Sequence, residues 1–142
     1  MYSKRTTIGV LFIIFSLSLG CSHEEMIKRE DLHSKLISAI SLATESQFFL
    51  RYVREQRATR PYATGHIEYL EDELSRAELE VRKSNPEPGT ETAFHEYEAN
   101  LDALRRELAN INAVIDNPGT DPDLNSRIAN IRNALDATNS LP

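Results

Sequence analysis

This chain of 142 residues is poor in the residues that staple small exported domains. It has one cysteine, Cys21, so no disulfide can form within the sequence. It has no tryptophan, which leaves five Tyr and five Phe as the aromatic anchors for a core or an interface. Five glycines and six prolines are few, and they fall mainly where helical patterning stops. Long apolar runs are also absent. The longest, Ile8 to Leu19, has 12 residues, short of the roughly 17–25 that a spanning helix needs. Positive charge is in deficit: 16 Lys and Arg stand against 22 Asp and Glu, a net charge of -6. That balance disfavours polyanions and argues against nucleic acid as a partner.

Several chemical signatures are missing too. There is no Gly-x-Ser-x-Gly elbow for a nucleophilic serine and no Cys-x-x-Cys-His for haem attachment. A helical di-iron site needs two Glu-x-x-His pairs. Glu30-Asp31-Leu32-His33 supplies one, but Ala63 precedes His66 by three and Thr92 precedes His95 by three. His95 and Glu96 are sequence neighbours that point about 100° apart on a helix, so they form no dyad; Glu91 and His95 are an ordinary i, i+4 pair. The expectation is therefore a protein that is not an enzyme and holds no metal or other cofactor.

The front of the chain has a clear order. Lys4 and Arg5 precede the short apolar segment, which ends in Gly20 and Cys21. A basic start, a short apolar run and a small residue before the cut make a secretory signal. The stretch Leu17-Ser18-Leu19-Gly20-Cys21 resembles the signal ending of a bacterial lipoprotein, with Ser18 where the family usually has Leu. The resemblance covers residues 1–22 and implies no globular family. It implies that Cys21 becomes the lipidated first residue, carrying a diacylglyceryl group and often a further acyl chain such as palmitate. Two chains suffice for stable anchoring where one does not. Ser22, in place of Asp, implies by the same resemblance an outer-membrane location facing the periplasm if the organism is Gram-negative. Two alternatives stay open at this point: an ordinary secretory signal, and an uncleaved anchor.

The expected division is a signal peptide over 1–20, the lipidated cysteine and a loose charged tether over 21–30, a helical domain over 31–138 and a tail over 139–142. Removing the signal leaves 122 residues, enough for one core. Because the signal contributes two positive charges and no acid, the remainder has a net charge of -8. Lipid, not charge, must then hold it to an anionic surface.

Beyond the signal every long segment has helical spacing and none alternates with period 2. The first helix, about 24–57, carries Leu32, Leu36, Ile40, Ala43, Leu50 and Val53 on one stripe, widened by Ile37, Phe49 and Tyr52 and interrupted by Gln47. Pro61 suits the first turn of a second helix, with Ile67, Leu70, Leu74, Ala77 and Val81 inward. Asn85-Pro86-Glu87-Pro88-Gly89 ends it. The third helix repeats Phe94, Tyr97, Leu101, Leu104, Leu108, Ile111 and Ile115 at alternating steps of three and four, a heptad seam. Asn117-Pro118-Gly119 stops it. Thr120 or Asp121 should cap a fourth helix with Pro122 at its first position and Leu124, Ile128, Ile131 and Leu135 inward. This predicts an all-α fold, an antiparallel up-down-up-down four-helix bundle. A three-helix bundle or a long helical hairpin is the alternative. The seam is read as core; a homo-oligomeric coiled coil is the less favoured reading.

One local feature points to function. Arg51, Arg54, Arg57 and Arg60 recur every third residue, with Tyr52, Tyr62, His66 and Tyr69 interleaved. In an acidic domain this corner is a local positive patch, and arginine beside aromatic rings suits carboxylate, phosphate or protein contacts. Arg54, Arg57, Arg60, Tyr62 and His66 are the candidate binding residues. The competing reading is surface pairing with Glu55, Glu68, Glu71, Asp72 and Glu73. The functional expectation is a lipid-anchored structural or protein-interaction module of the cell envelope, with an envelope protein as partner. The alternative is a sensory bundle that binds a small anion.

Overall fold

The computed structural model describes residues 25–140, so the signal segment and Cys21 lie outside the described residues. The fold is all-α with four helices: α1 (Arg29–Arg54), α2 (Arg60–Arg82), α3 (Glu91–Asp116) and α4 (Leu124–Asn139). Two three-residue strands accompany them, β1 (Glu25–Ile27) and β2 (Ser84–Pro86).

All four helices contribute to one apolar core, because each carries a stripe at helical spacing that has to leave water. The seam on α3 is buried from Phe94 to Ile111 as its spacing predicts. At its end Val114 is fully buried while Ile115 is only half-buried against the core. On α1 the buried set is shifted: Ala39, Ser46 and Gln47 are buried, whereas Ile37 and Tyr52 are exposed. Gln47 meets α4, donating to the Asn125 carbonyl at 3.4 Å and accepting from Arg132 at 3.1 Å. The polar break in the stripe thus faces a polar partner.

The helices do not share their faces equally. α1 packs most extensively on α4, α3 packs on both α2 and α4, and α1 meets α3 more than it meets α2. The α1–α2 seam is the loosest of these five pairings.

Two local expectations need correction. The loose tether was expected over 21–30, but within it β1 pairs in parallel with β2, Glu25 opposite Ser84 and Ile27 opposite Pro86. Ile27 is buried in the core, and the Arg29 amide donates to Glu87 at 2.9 Å. A strand of three residues is too short to show alternation in sequence. The fourth helix starts at Leu124, not at Pro122, and no side chain caps it. Asp121 instead has a left-handed backbone, φ 52, and its carboxylate is drawn to Arg127.

The end of α1 is also stopped without glycine. Gln56 adopts φ 56; its amide donates to the Val53 carbonyl at 2.9 Å and the Arg57 amide to the Tyr52 carbonyl at 3.1 Å. Those two bonds are the Schellman pair that closes a helix C-terminus, with Gln where Gly is usual.

The α3–α4 connection, 117–123, is held by charge. Arg127 donates to Asp121 at 2.9 Å and to Glu107 at 3.0 Å. The Arg127 hydrogen bond holds the Asp121 carboxyl below the usual carboxylate range. A lowered folded value means that this contact stabilises fully above the ordinary value, about 4, and is lost as pH falls through the lowered one. The Arg127 guanidinium is raised, first by Asp121 and then by Glu107, so its own loss would need pH above its usual range. We therefore expect the thermal midpoints of wild type and Asp121→Asn to differ at pH 7 and to converge as pH falls below about 4. A gap unchanged with pH would mean that the carboxylate charge is not what the loop uses.

Candidate functional site

The corner between α1 and α2 separates the four arginines instead of gathering them. Arg54 is half-buried and turns towards the α3–α4 connection. Its guanidinium donates to the carbonyls of Thr120 at 3.5 Å and Pro122 at 3.2 Å, and to that of Asp121 between them. Arg60 pairs with Asp116 at 2.6 Å, and both are exposed. Arg57 pairs with Glu55 at 3.1 Å. Arg51 lies 5.4 Å from the Phe48 ring centre and makes no ion pair with a described residue. Of the acids expected to pair with these arginines, only Glu55 does; Glu73 pairs with Arg76 at 2.6 Å instead.

The aromatic members do converge. Tyr62 stacks on His66 with ring centres 5.7 Å apart and planes 13° apart, and meets Tyr52 edge-on at 6.2 Å. His66 also packs against Phe49 at 4.6 Å and Tyr69 at 5.8 Å. Its Nε2 lies 3.3 Å from the Glu45 carboxylate across the α1–α2 seam. Offset and edge-on rings at such distances attract one another beyond their area of contact.

These rings wall an open hollow of about 470 Å³. Phe48, Phe49, Tyr52, Tyr62, His66, Arg51, Arg57, Glu45 and Glu55 line it. Of the candidate residues, Arg57, Tyr62 and His66 face one space; Arg54 and Arg60 do not line it. Two arginines and two glutamates give the hollow no excess of fixed charge, so its character is aromatic, not cationic.

Phe48 is the residue that sequence reasoning missed. Its signal was present: Phe48 and Phe49 are adjacent, and neighbours on a helix point about 100° apart, so both cannot lie on the buried stripe. Phe49 is buried and Phe48 is 60% exposed.

The other two described histidines, His33 and His95, lie on the surface. His95 lies 3.7 Å from Glu98, and Glu91 accepts from the Gly89 amide instead of meeting His95. His33 is exposed at the start of α1. Among the described residues no three His, Asp or Glu converge as metal ligands would, and no helix is long and apolar enough to cross a membrane.

Comparison with protein-family models, with curated proteins and with solved structures finds no match to this chain.

Proposed function

We propose that this chain is a lipid-anchored cell-envelope protein that presents a contact surface to another protein. In this reading its four helices form an antiparallel up-down-up-down bundle. Three cross-helix bonds support that arrangement. Arg60 near the start of α2 meets Asp116 at the end of α3. Thr138 near the end of α4 donates to Glu96 near the start of α3 at 2.8 Å. Lys35 near the start of α1 meets Glu80 near the end of α2.

The observation that carries the reading is where the chain joins the fold. β1 begins at Glu25, four residues after Cys21, and is tied to β2 beyond the end of α2. Four extended residues reach at most about 14 Å. A lipid on Cys21 would thus hold the β1–β2 end of the bundle at the membrane. α1, with 26 residues, is about 39 Å long. It would carry the aromatic corner that far out into the compartment, the periplasm if the anchor is in an outer membrane. Exposed aromatic rings on a rigid scaffold suit protein contact. The balanced charge of the hollow, together with the engagement of Arg54 and Arg60 elsewhere, favours this over recognition of a small anion.

The test is labelling with radioactive palmitate. Wild-type protein should take up label and sediment with membranes. Cys21→Ser should take up none and be released, with its helical circular dichroism intact when purified. Unlabelled wild type, or a variant that stays on the membrane, would reject the anchor.

A further inference from the structure

Among the described residues seven large apolar side chains are exposed: Met26, Ile37, Phe48, Tyr52, Tyr62, Tyr69 and Leu79. Scattered singly they would need no explanation. All but Leu79, however, line a single run of three adjoining hollows along the α1–α2 seam. The lower and middle hollows share Ser34, Lys35 and Glu80, and the middle and upper ones share Glu45. The seam is open because α1 turns its packing face to α4 and α3.

The middle hollow, about 550 Å³, reaches α3, whose Tyr97 and Leu101 line it. The Tyr97 side chain is 1% exposed; its hydroxyl makes no hydrogen bond with any described residue and is not sealed from solvent, so it opens on the hollow. Burial, with Glu80 nearby, pushes its pKa up to about 12. A tyrosine hydroxyl is both a donor and an acceptor, and this one has neither role filled by a described residue. At the floor of this groove a polar contact is therefore left to whatever enters it.

We propose that the α1–α2 groove receives an amphipathic helix of a different protein, seated on Ile37, Phe48 and Tyr69 and bonded to the Tyr97 hydroxyl. The inference rests on the interaction-module reading above but not on the lipid. Shape favours a helix: the hollows follow α1 from Asp31 to Tyr52, about 32 Å. A second copy is disfavoured, because two grooves are both concave. Outside the groove, Leu79 is the sole large exposed apolar side chain among the described residues, so a copy has no apolar ridge to insert. Of the rim charges, Lys35 pairs with Glu80 and Arg76 with Glu73, while Glu45 meets the His66 ring. At the corner end Arg51 makes no ion pair with a described residue. At the opposite end Glu25 and Asp31, with Lys83 beside them, likewise make no ion pair with a described residue. An entering helix with acidic residues in its first turn, at Arg51, and basic residues in its last turn fits these ends and its own dipole. It runs antiparallel to α1.

The test uses full-length protein in the cells that make it, with a benzophenone amino acid placed at Ile37, Phe48, Tyr69 or, off the groove, Leu79. After illumination the adducts are mapped by mass spectrometry. The groove positions should reach one segment of one other protein, at residues three or four apart. Phe48 should reach nearer that segment's N-terminus than Ile37. Tyr97→Phe should lower the yield about two- to tenfold, the worth of one hydrogen bond, without lowering the thermal midpoint. Adducts with a second copy, with residues 8–19 of this chain or with scattered proteins would overturn the proposal, as would none at all from the groove. If Leu79 captured a partner and the groove did not, the module would stand and the groove fall. If no position captured a protein, both would fall.

Discussion

Leu104→Ala should lower the unfolding free energy by about 2–5 kcal/mol, the range for deleting a fully buried leucine side chain. Leu104 is 0% exposed and lies midway along the buried seam of α3, between fully buried Leu101 and Leu108. α3 packs against each of the other helices, so a hole there is felt by more than one interface. Close-packed interiors relax only partly around such a hole. A domain of this size is ordinarily stable by roughly 5–15 kcal/mol. The substitution would then remove a large fraction of the whole, and the described domain contains no disulfide to offset it. Urea titration followed by circular dichroism measures the loss. Ile115→Ala, half-buried at the end of the same seam, is the comparison and should cost less. Equal losses at the two positions, or a loss under about 1 kcal/mol at Leu104, would contradict the packing described.

Arg54→Ala should cost about 1.5–3 kcal/mol, the worth of hydrogen bonds to a charged group. Arg57→Ala should stay within about 0.5 kcal/mol of wild type, as exposed positions usually do. The two residues are three apart in sequence, yet only Arg54 closes on the 120–122 carbonyls. Removing it leaves three backbone acceptors of the α3–α4 connection without that donor and frees a segment in which Asp121 sits at φ 52. Arg54→Lys should recover only part of the loss, because an ammonium cannot present the planar fork that meets several carbonyls together. Arg57, paired with neighbouring Glu55 while 66% of its side chain is exposed, holds no other element. Parallel urea titrations decide the matter: equal costs for Arg54→Ala and Arg57→Ala would mean that the carbonyl contacts do not stabilise the fold. The same contrast bears on partner binding. A charge reversal at Arg54 confounds binding with stability, whereas Arg57, Tyr62 and Tyr69 can be changed with the fold intact.

The corner shows how far spacing alone carries. Steps of three along a helix fan backward by about 60° each. Arg51 and Arg54 therefore had to point in different directions, and that much is arithmetic; Arg57 lies past the end of α1, beyond the left-handed Gln56. Which direction met the α3–α4 connection was not. The bond from Arg54 to Pro122 spans 68 positions and the pair Arg60–Asp116 spans 56. No local pattern encodes either. Phe48 lies between the two cases: its outward direction followed from its neighbour, but its place beside Tyr52 and Arg51 on an open seam did not.

By itself the sequence determined that this is an all-α chain, where its four helices run within a few residues, and most of what each buries. Those properties are local: 3.6-residue spacing selects a face, and proline and glycine interrupt the backbone where a helix must stop. The tertiary structure decided the rest. It set β1 against β2, turned Arg54 to the far connection and Arg60 to Asp116 at the end of α3, paired Gln47 with Arg132, and left the α1–α2 seam open over Tyr97. Each of these depends on which helix faces meet. Four amphipathic stripes can bury themselves in more than one arrangement, so the choice is made by the packing of all four together.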